Sequence, residues 1–161
     1  MASSAQTVAE ALRSQLAAIV AGADYAVTPT AVKIVSFWPD AKALDPSLEV
    51  IYLVRPGLLD HKPMTGCSVD ERAEMFVLCA ARFTEATENP FLAEPVRWQM
   101  ASDMSADVCA KVRSDVRLGL PSLVLDSWAE SISMDFDRYE PGWALVELRL
   151  TVRYVYGQAS R

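Results

Sequence analysis

The stretch from Glu130 to Tyr156, ESISMDFDRYEPGWALVELRLTVRYVY, decides the fold. From Ala144 onward Val146, Leu148, Leu150, Val152, Tyr154 and Tyr156 fall on one side of a two-residue alternation, and Glu147, Arg149, Thr151 and Arg153 fall on the other. A period of two is the strand signature, because successive side chains of an extended chain point to opposite faces. Ahead of it Ile132, Met134 and Phe136 alternate with Ser131, Ser133, Asp135 and Asp137, and Tyr139-Glu140-Pro141-Gly142 carries the Pro-Gly pair of a tight turn. The pattern predicts one antiparallel hairpin. Directly opposed residues share a face, so joining the two apolar faces requires paired residue numbers that sum to an even value. The loop then runs from Pro141 to Trp143 or from Tyr139 to Trp143; the shorter loop sets Asp135 opposite Arg149 and Ile132 opposite Val152.

Outward from the hairpin, the totals describe one domain. The chain has 161 residues, 52% hydrophobic and 22% charged, enough for a single core of ordinary surface polarity. No apolar run approaches the ~20 residues of a membrane helix. No basic segment leads into an apolar run with a cleavage site near Met1, so neither export by that route nor membrane insertion is expected. Cys67, Cys79 and Cys109 are odd in number and widely spaced, which favours small buried side chains over a disulfide framework or a zinc knuckle. A net charge of -6 opposes a tight grip on a phosphate backbone, which needs clustered Lys and Arg.

Thr7-Val8-Ala9-Glu10 has capping-box spacing, and Val8, Leu12, Leu16, Ile19 and Val20 recur at helical intervals, predicting a helix from Thr7 to about Ala21 that Gly22 ends. Residues Val32 to Trp38 and Leu48 to Val54 are β-branched and aromatic, with Pro39-Asp40 and Asp45-Pro46 between them, and read as a second hairpin. Val50-Ile51-Tyr52-Leu53-Val54 is apolar at every position, so this strand is expected to be covered on both faces, by the helix on one side and something else on the other. Arg55 to Ser68, with Pro56, Gly57, Pro63 and Gly66, reads as a long loop of the kind that is functional or flexible.

Arg72 to Phe83 admits two readings. Val69, Ala73, Phe76, Ala80 and Phe83 would form a helical stripe, whereas Met75, Val77, Cys79, Ala81 and Phe83 form one face of a strand. We take the strand, since a helix would leave the terminal hairpin too few partners for an independent sheet. Thr84 to Val96 reads as a loop. A second helix runs from Ser102 to Leu118, with Asp103 and Asp107 early, Arg113 and Arg117 late, Asp107 paired with Lys111 four residues on, and Gly119 and Pro121 closing it. The fold class is therefore α+β: a mostly antiparallel sheet with a long C-terminal hairpin and two amphipathic helices packed on it.

Catalytic constellations are scarce. His61 is the only histidine, within the charged tip Asp60-His61-Lys62, and its ordinary reading is a solvated loop side chain, with a catalytic base as the rarer one. Asp135, Asp137 and Glu140 cluster near the terminal turn, but alternation puts the two aspartates on a polar face where solvation is the simpler role than metal binding. The glycines are scattered singly, without a phosphate-binding loop. No catalytic residue, cofactor site or metal site is assigned. Trp38, Trp98, Trp128 and Trp143 fall near element ends, where an aromatic either plugs the core or anchors an interface.

The order of these elements resembles the tail terminator (tail completion) proteins of long-tailed bacteriophages. The likeness covers nearly the whole chain as a layout, and its closest part is Gly142-Trp143-Ala144-Leu145-Val146-Glu147-Leu148-Arg149-Leu150 running into Tyr154-Val155-Tyr156. The resemblance implies a non-enzymatic virion protein in the tail-neck region, assembled in the host cytoplasm. It would form a ring, typically hexameric, that caps the head-proximal end of the tail tube and stops its polymerisation. Its partners would be further copies of itself, the tail tube protein and the head connector or neck protein, with DNA passing through without specific binding and no membrane involved. By layout it puts ring contacts on the Arg55 to Ser68 loop, at Asp60, His61 and Lys62 in particular, and on the terminal hairpin, at Arg149, Thr151 and Arg153, and a lumen-facing acidic surface at residues such as Asp103, Asp107 and Asp115. Two other roles fit the same composition: a head-completion or neck protein, and a small ligand-binding α+β domain with an apolar pocket.

Overall fold

The computed structural model describes residues 4–40, 43–63, 68–82, 90–134 and 142–157, of which 4, 58–63, 68–71, 90–94 and 156–157 are described by their backbone. The elements are α1 (Ser4–Ala17), β1 (Ala31–Ile34), β2 (Val50–Pro63), β3 (Ser68–Arg82), α2 (Pro90–Ser114), β4 (Val124–Ser133) and β5 (Trp143–Gly157). The strands form one sheet in the order β1-β2-β3-β5-β4, antiparallel throughout except for the parallel pair β1 and β2. This is the α+β arrangement that the pattern predicts.

Both helices lie on one face of the sheet. Val8, Leu12, Leu16 and Ile19 from the first helical segment and Met104, Val108 and Val112 from the second close over Tyr52, Val54, Met75, Val77, Cys79 and the alternating set Val146, Leu148, Leu150, Val152 and Tyr154. The strand reading of residues 72–82 is correct, and Cys79 and Cys109 are buried as free thiols. On the opposite face, Ile51, Leu53, Leu78, Ala80 and Leu145 form a second, smaller cluster with Leu44, against which Val35, Trp38, Leu48 and Trp143 pack. Residues 35–40 and 43–49 therefore supply the second cover that the all-apolar segment of β2 requires.

Several boundaries and pairings differ from expectation. The segments around Val32 and Val50 do not form a hairpin: Ala31 to Ile34 pairs in parallel with Ile51 to Val54, because the connection between them crosses the outer face to bury Leu44 and Trp38 instead of turning back at Pro39. The expected loop from Arg55 to Ser68 is mostly strand. The β2–β3 ladder continues to Pro63 opposite Val69, and it sets Asp60 across from Arg72 and Lys62 across from Asp70, residue types of opposite charge at directly paired positions. His61 thus belongs to a strand, opposite Glu71, and not to a loop tip.

α1 begins before Thr7 and ends at Ala17, where its last turn tightens into Ala18 N–H to Gln15 and Ile19 N–H to Leu16 carbonyl bonds; this turns Ile19 inward and leaves Val20 exposed. α2 starts at Pro90, well inside the expected loop, since proline is accommodated at a first helical position, and it also carries Pro95. It ends at Ser114, and the chain then turns through Leu118 and Gly119, both at positive φ.

The terminal hairpin begins earlier than expected, at Val124, and its register is shifted. Ile132 lies opposite Leu148, not Val152, while the paired numbers there still sum to an even value and the apolar faces do join. Two irregularities, between Ala129 and Ser131 and between Val124 and Asp126, then change the parity. They place Ser127 on the core side opposite Val152, where its hydroxyl is buried and donates to the Val116 carbonyl at 2.8 Å. The carboxylates Asp135, Asp137 and Glu140 lie outside the described residues.

Candidate functional site

Among the described residues, the sheet face turned away from the helices is covered only at the end where Val35, Trp38, Leu44 and Leu48 pack on it. Beyond that cover the register lines up three transverse rows. Arg55, Phe76, Arg149 and Ser131 form the first, Glu74, Thr151 and Trp128 the second, and Asp60, Arg72, Arg153 and Asp126 the third. Strand alternation puts polar residues here because the same strands spend their other face on the core. The two segments expected at a contact surface, 60–62 and 149–153, are therefore parts of one sheet joined through β3. Asp60 and Arg153 fall in one row, while His61 falls in the intervening row, opposite Glu71 and in register with Tyr154.

Arg149 is already engaged within the chain. Its guanidinium donates to Glu130 through Nη2 at 2.6 Å and Nε at 3.0 Å, and it lies 3.4 Å from Glu74. The guanidinium thus bridges carboxylates from β3 and β4 across β5. Hydrogen bonds from Thr151 and then from Arg149 hold the Glu130 carboxyl below the usual range. Thr151 is buried within this network and does not present a free surface. Replacing Arg149 by Glu would set a third carboxylate between two others, so that variant perturbs the sheet as well as any contact.

Next to this network the Arg55 guanidinium lies between two rings, 4.9 Å from the centroid of Trp38 and 4.6 Å from that of Phe76. Gly57 makes room for the stack: a Cβ there would stand 2.6 Å from Cε2 of Phe76. Arg55, Phe76, Glu74 and Glu130 were not singled out from the sequence. Arg55 and Gly57 looked like the opening of a loop, and Phe76 read as one apolar residue in an apolar run. The tryptophans divide: Trp38 and Trp143 pack on the smaller cluster, Trp128 sits on the outer face, and Trp98 is about half exposed.

Of the three acidic residues expected on one surface, Asp107 is buried, while Asp103 and Asp115 are half-buried. Asp107 is buried on α2, where Oδ1 and Oδ2 accept the Ala26 N–H at 3.0 Å each and Oδ2 accepts the Val27 N–H at 2.8 Å. It fastens residues 21–29 to the helix and makes no ion pair with Lys111, which lies over the Tyr25 ring. Asp103 accepts from Gln99 of the preceding turn at 2.8 Å, and Asp115 accepts from Gln15 of α1 at 3.2 Å. Tyr52 reaches the same interior from β2. Its hydroxyl is buried with no hydrogen-bond partner among the described residues, and burial, with Cys79 and Asp107 nearby, pushes its pKa well up.

Among the described residues no group of three or more His, Cys, Asp and Glu side chains could hold a metal ion, and no helix is long and apolar enough to cross a membrane. What the outer face offers is a charged and aromatic surface suited to protein contact. No protein-family model matches the chain, and comparison with curated proteins gives no match.

Proposed function

We propose that this chain is a tail terminator of a long-tailed phage: a ring-forming structural protein that caps the head-proximal end of the tail tube, ends tube polymerisation and joins the tail to the head connector. The observation that carries the reading is the one-sided sheet. Helices cover one face, while the other, beyond the end closed by the smaller apolar cluster, presents rows of Arg, Glu and aromatic residues running from β2 to β4, between two unlike edges. Surfaces rich in Arg and aromatic side chains are typical of the energetic centre of protein interfaces. Two unlike edges suit head-to-tail contacts, the class that closes into rings. The net charge of -6 suits a ring through which DNA passes without being gripped. The layout that resembles terminator proteins adds to this, from the opening helix to the closing hairpin.

The test is assembly with tube subunits. Polymerising tail tube protein in the presence of the purified chain should give tubes capped at one end by a ring in electron micrographs, with the length distribution arrested. Tubes that grow to the same length with and without the protein, and carry no cap, would refute the reading. Binding to the portal-side connector without any effect on tubes would transfer the chain to the head-completion role.

A further inference from the structure

Arg55 is the first β2 residue beyond the stretch that β1 covers, since the β1–β2 pairing ends at Val54. Its guanidinium is held between Trp38 and Phe76, and its Nε is buried without an acceptor among the described residues. Arg55 forms no ion pair among the described residues. Stacking between two rings fixes the plane of the guanidinium without neutralising it, so recognition is left to its terminal nitrogens. Phe37, the residue before Trp38 in the chain, is 75% exposed, the most exposed large apolar side chain among the described residues. A cation preorganised by two aromatics, one of them preceded in the chain by an exposed ring, has the makings of an interface anchor for a carboxylate flanked by apolar side chains.

We infer that this corner, Phe37, Trp38, Arg55 and Phe76, receives the β4 edge of a second copy of the chain, with Arg55 meeting the carboxylate of Asp126. The inference rests on the ring reading above. The occupant follows from charge and place. The chain carries 21 acidic against 15 basic residues, so a second copy is mainly a source of carboxylates. The strand at the far end of the sheet from β1 exposes Leu125 at 42% and Ile132 at 48%, with Asp126 exposed beside Leu125. Asp126 uses Oδ1 to accept its neighbour Ser127's N–H at 2.9 Å and lies across the ladder from Arg153, so it is anchored in place on the edge. Contact between the β1–β2 corner of one copy and the β4 edge of the next is heterologous and repeats around a ring.

The experiment measures mass by sedimentation over a concentration series for the full chain and for R55E, D126R and the double variant, with circular dichroism as the check on folding. The wild type should form a discrete oligomer. Each single variant should raise the concentration of half-assembly at least tenfold, and the double variant, which restores opposite charges at every contact, should recover most of that loss. R55K, which keeps the charge and loses the planar stack, should fall between wild type and R55E. D126R lies on an exposed strand edge and carries the test alone if R55E fails to fold. Single variants that assemble like the wild type would overturn this contact and leave the ring intact. A wild type that stays monomeric throughout would overturn the contact and count against the ring as well.

Discussion

Replacing Asp107 by alanine tests whether the buried carboxylate is a structural fastening. Its two oxygens accept the backbone N–H groups of Ala26 and Val27 at 2.8 to 3.0 Å, across about eighty residues of chain. Removing the acceptor leaves two amides unpaired beside α2, at about 1–3 kcal/mol for each donor that stays dry. Water reaching part of the gap lowers the total, so the expected loss is about 3 kcal/mol. That is a large part of a typical 5–15 kcal/mol stability but not all of it, so the variant should fold. For a chain of this size the loss corresponds to a fall in Tm of about 6–12 °C. D107N keeps one oxygen acceptor and should lose about half as much. Urea denaturation gives the free energies, with an unchanged m-value showing that the unfolded state is not the cause. Hydrogen exchange gives the location: protection at Ala26 and Val27 should fall by more than the global loss. A D107A variant within 1 kcal/mol of wild type, with those two amides still protected, would refute the fastening and return Asp107 to the surface role.

Tyr52→Phe removes a buried hydroxyl that has no partner among the described residues and should leave stability unchanged or raise it by up to about 1 kcal/mol, whereas a measurable loss would reveal a hydrogen bond to the hydroxyl. Gly57→Ala drives a methyl against the Phe76 ring and should cost about 1–3 kcal/mol by denaturant titration, with a change in Trp38 fluorescence as the Arg55 stack shifts; an unperturbed variant would mean that the ring is free to move. Because the Glu130 pKa is depressed in the fold, its contribution is present above the unfolded carboxylate value, near 4.5, and is lost as pH falls through the lower folded value. E130Q should therefore be less stable than wild type near neutrality by under about 1 kcal/mol, the pair being partly solvated, and the two stability curves should converge in acid. Curves that stay parallel to the lowest pH would remove the Glu130 charge from the account.

Much of the sheet was legible because its signal is local. β5 is flanked by β3 and β4 and, past Leu145, faces an apolar cluster on one side only, so its alternation from Val146 to Tyr154 reads directly as burial. The all-apolar run of β2 likewise announced two covers, though not which segment supplied the second. The parallel pairing of β1 was not legible, since Pro39 and Pro46 punctuate a crossover as readily as a turn. Pro56 and Gly57 suggested a loop for the same reason: proline and glycine interrupt most strands, but this stretch lies beyond the residues β1 pairs, at an open edge where proline is tolerated, and Gly57 makes room for Phe76.

At the candidate site, alternation correctly placed Arg149 on the outer face. It could not show that Glu74 and Glu130 converge on Arg149, because those partners depend on the register of β3 and on an irregularity in β4. Asp107 was misread for a related reason. Helical spacing gives a residue's neighbours on its own helix, and the amides that bury this carboxylate come from the segment after α1.

The measurement that tests the central claim most directly is the absolute mass of the purified chain by light scattering, from micromolar to near-millimolar concentration. The account predicts one closed oligomer, about six times the 17.7 kDa protomer, whose mass reaches a plateau and dissociates only on dilution. A monomer at every concentration, or a mass that grows without limit, would contradict it.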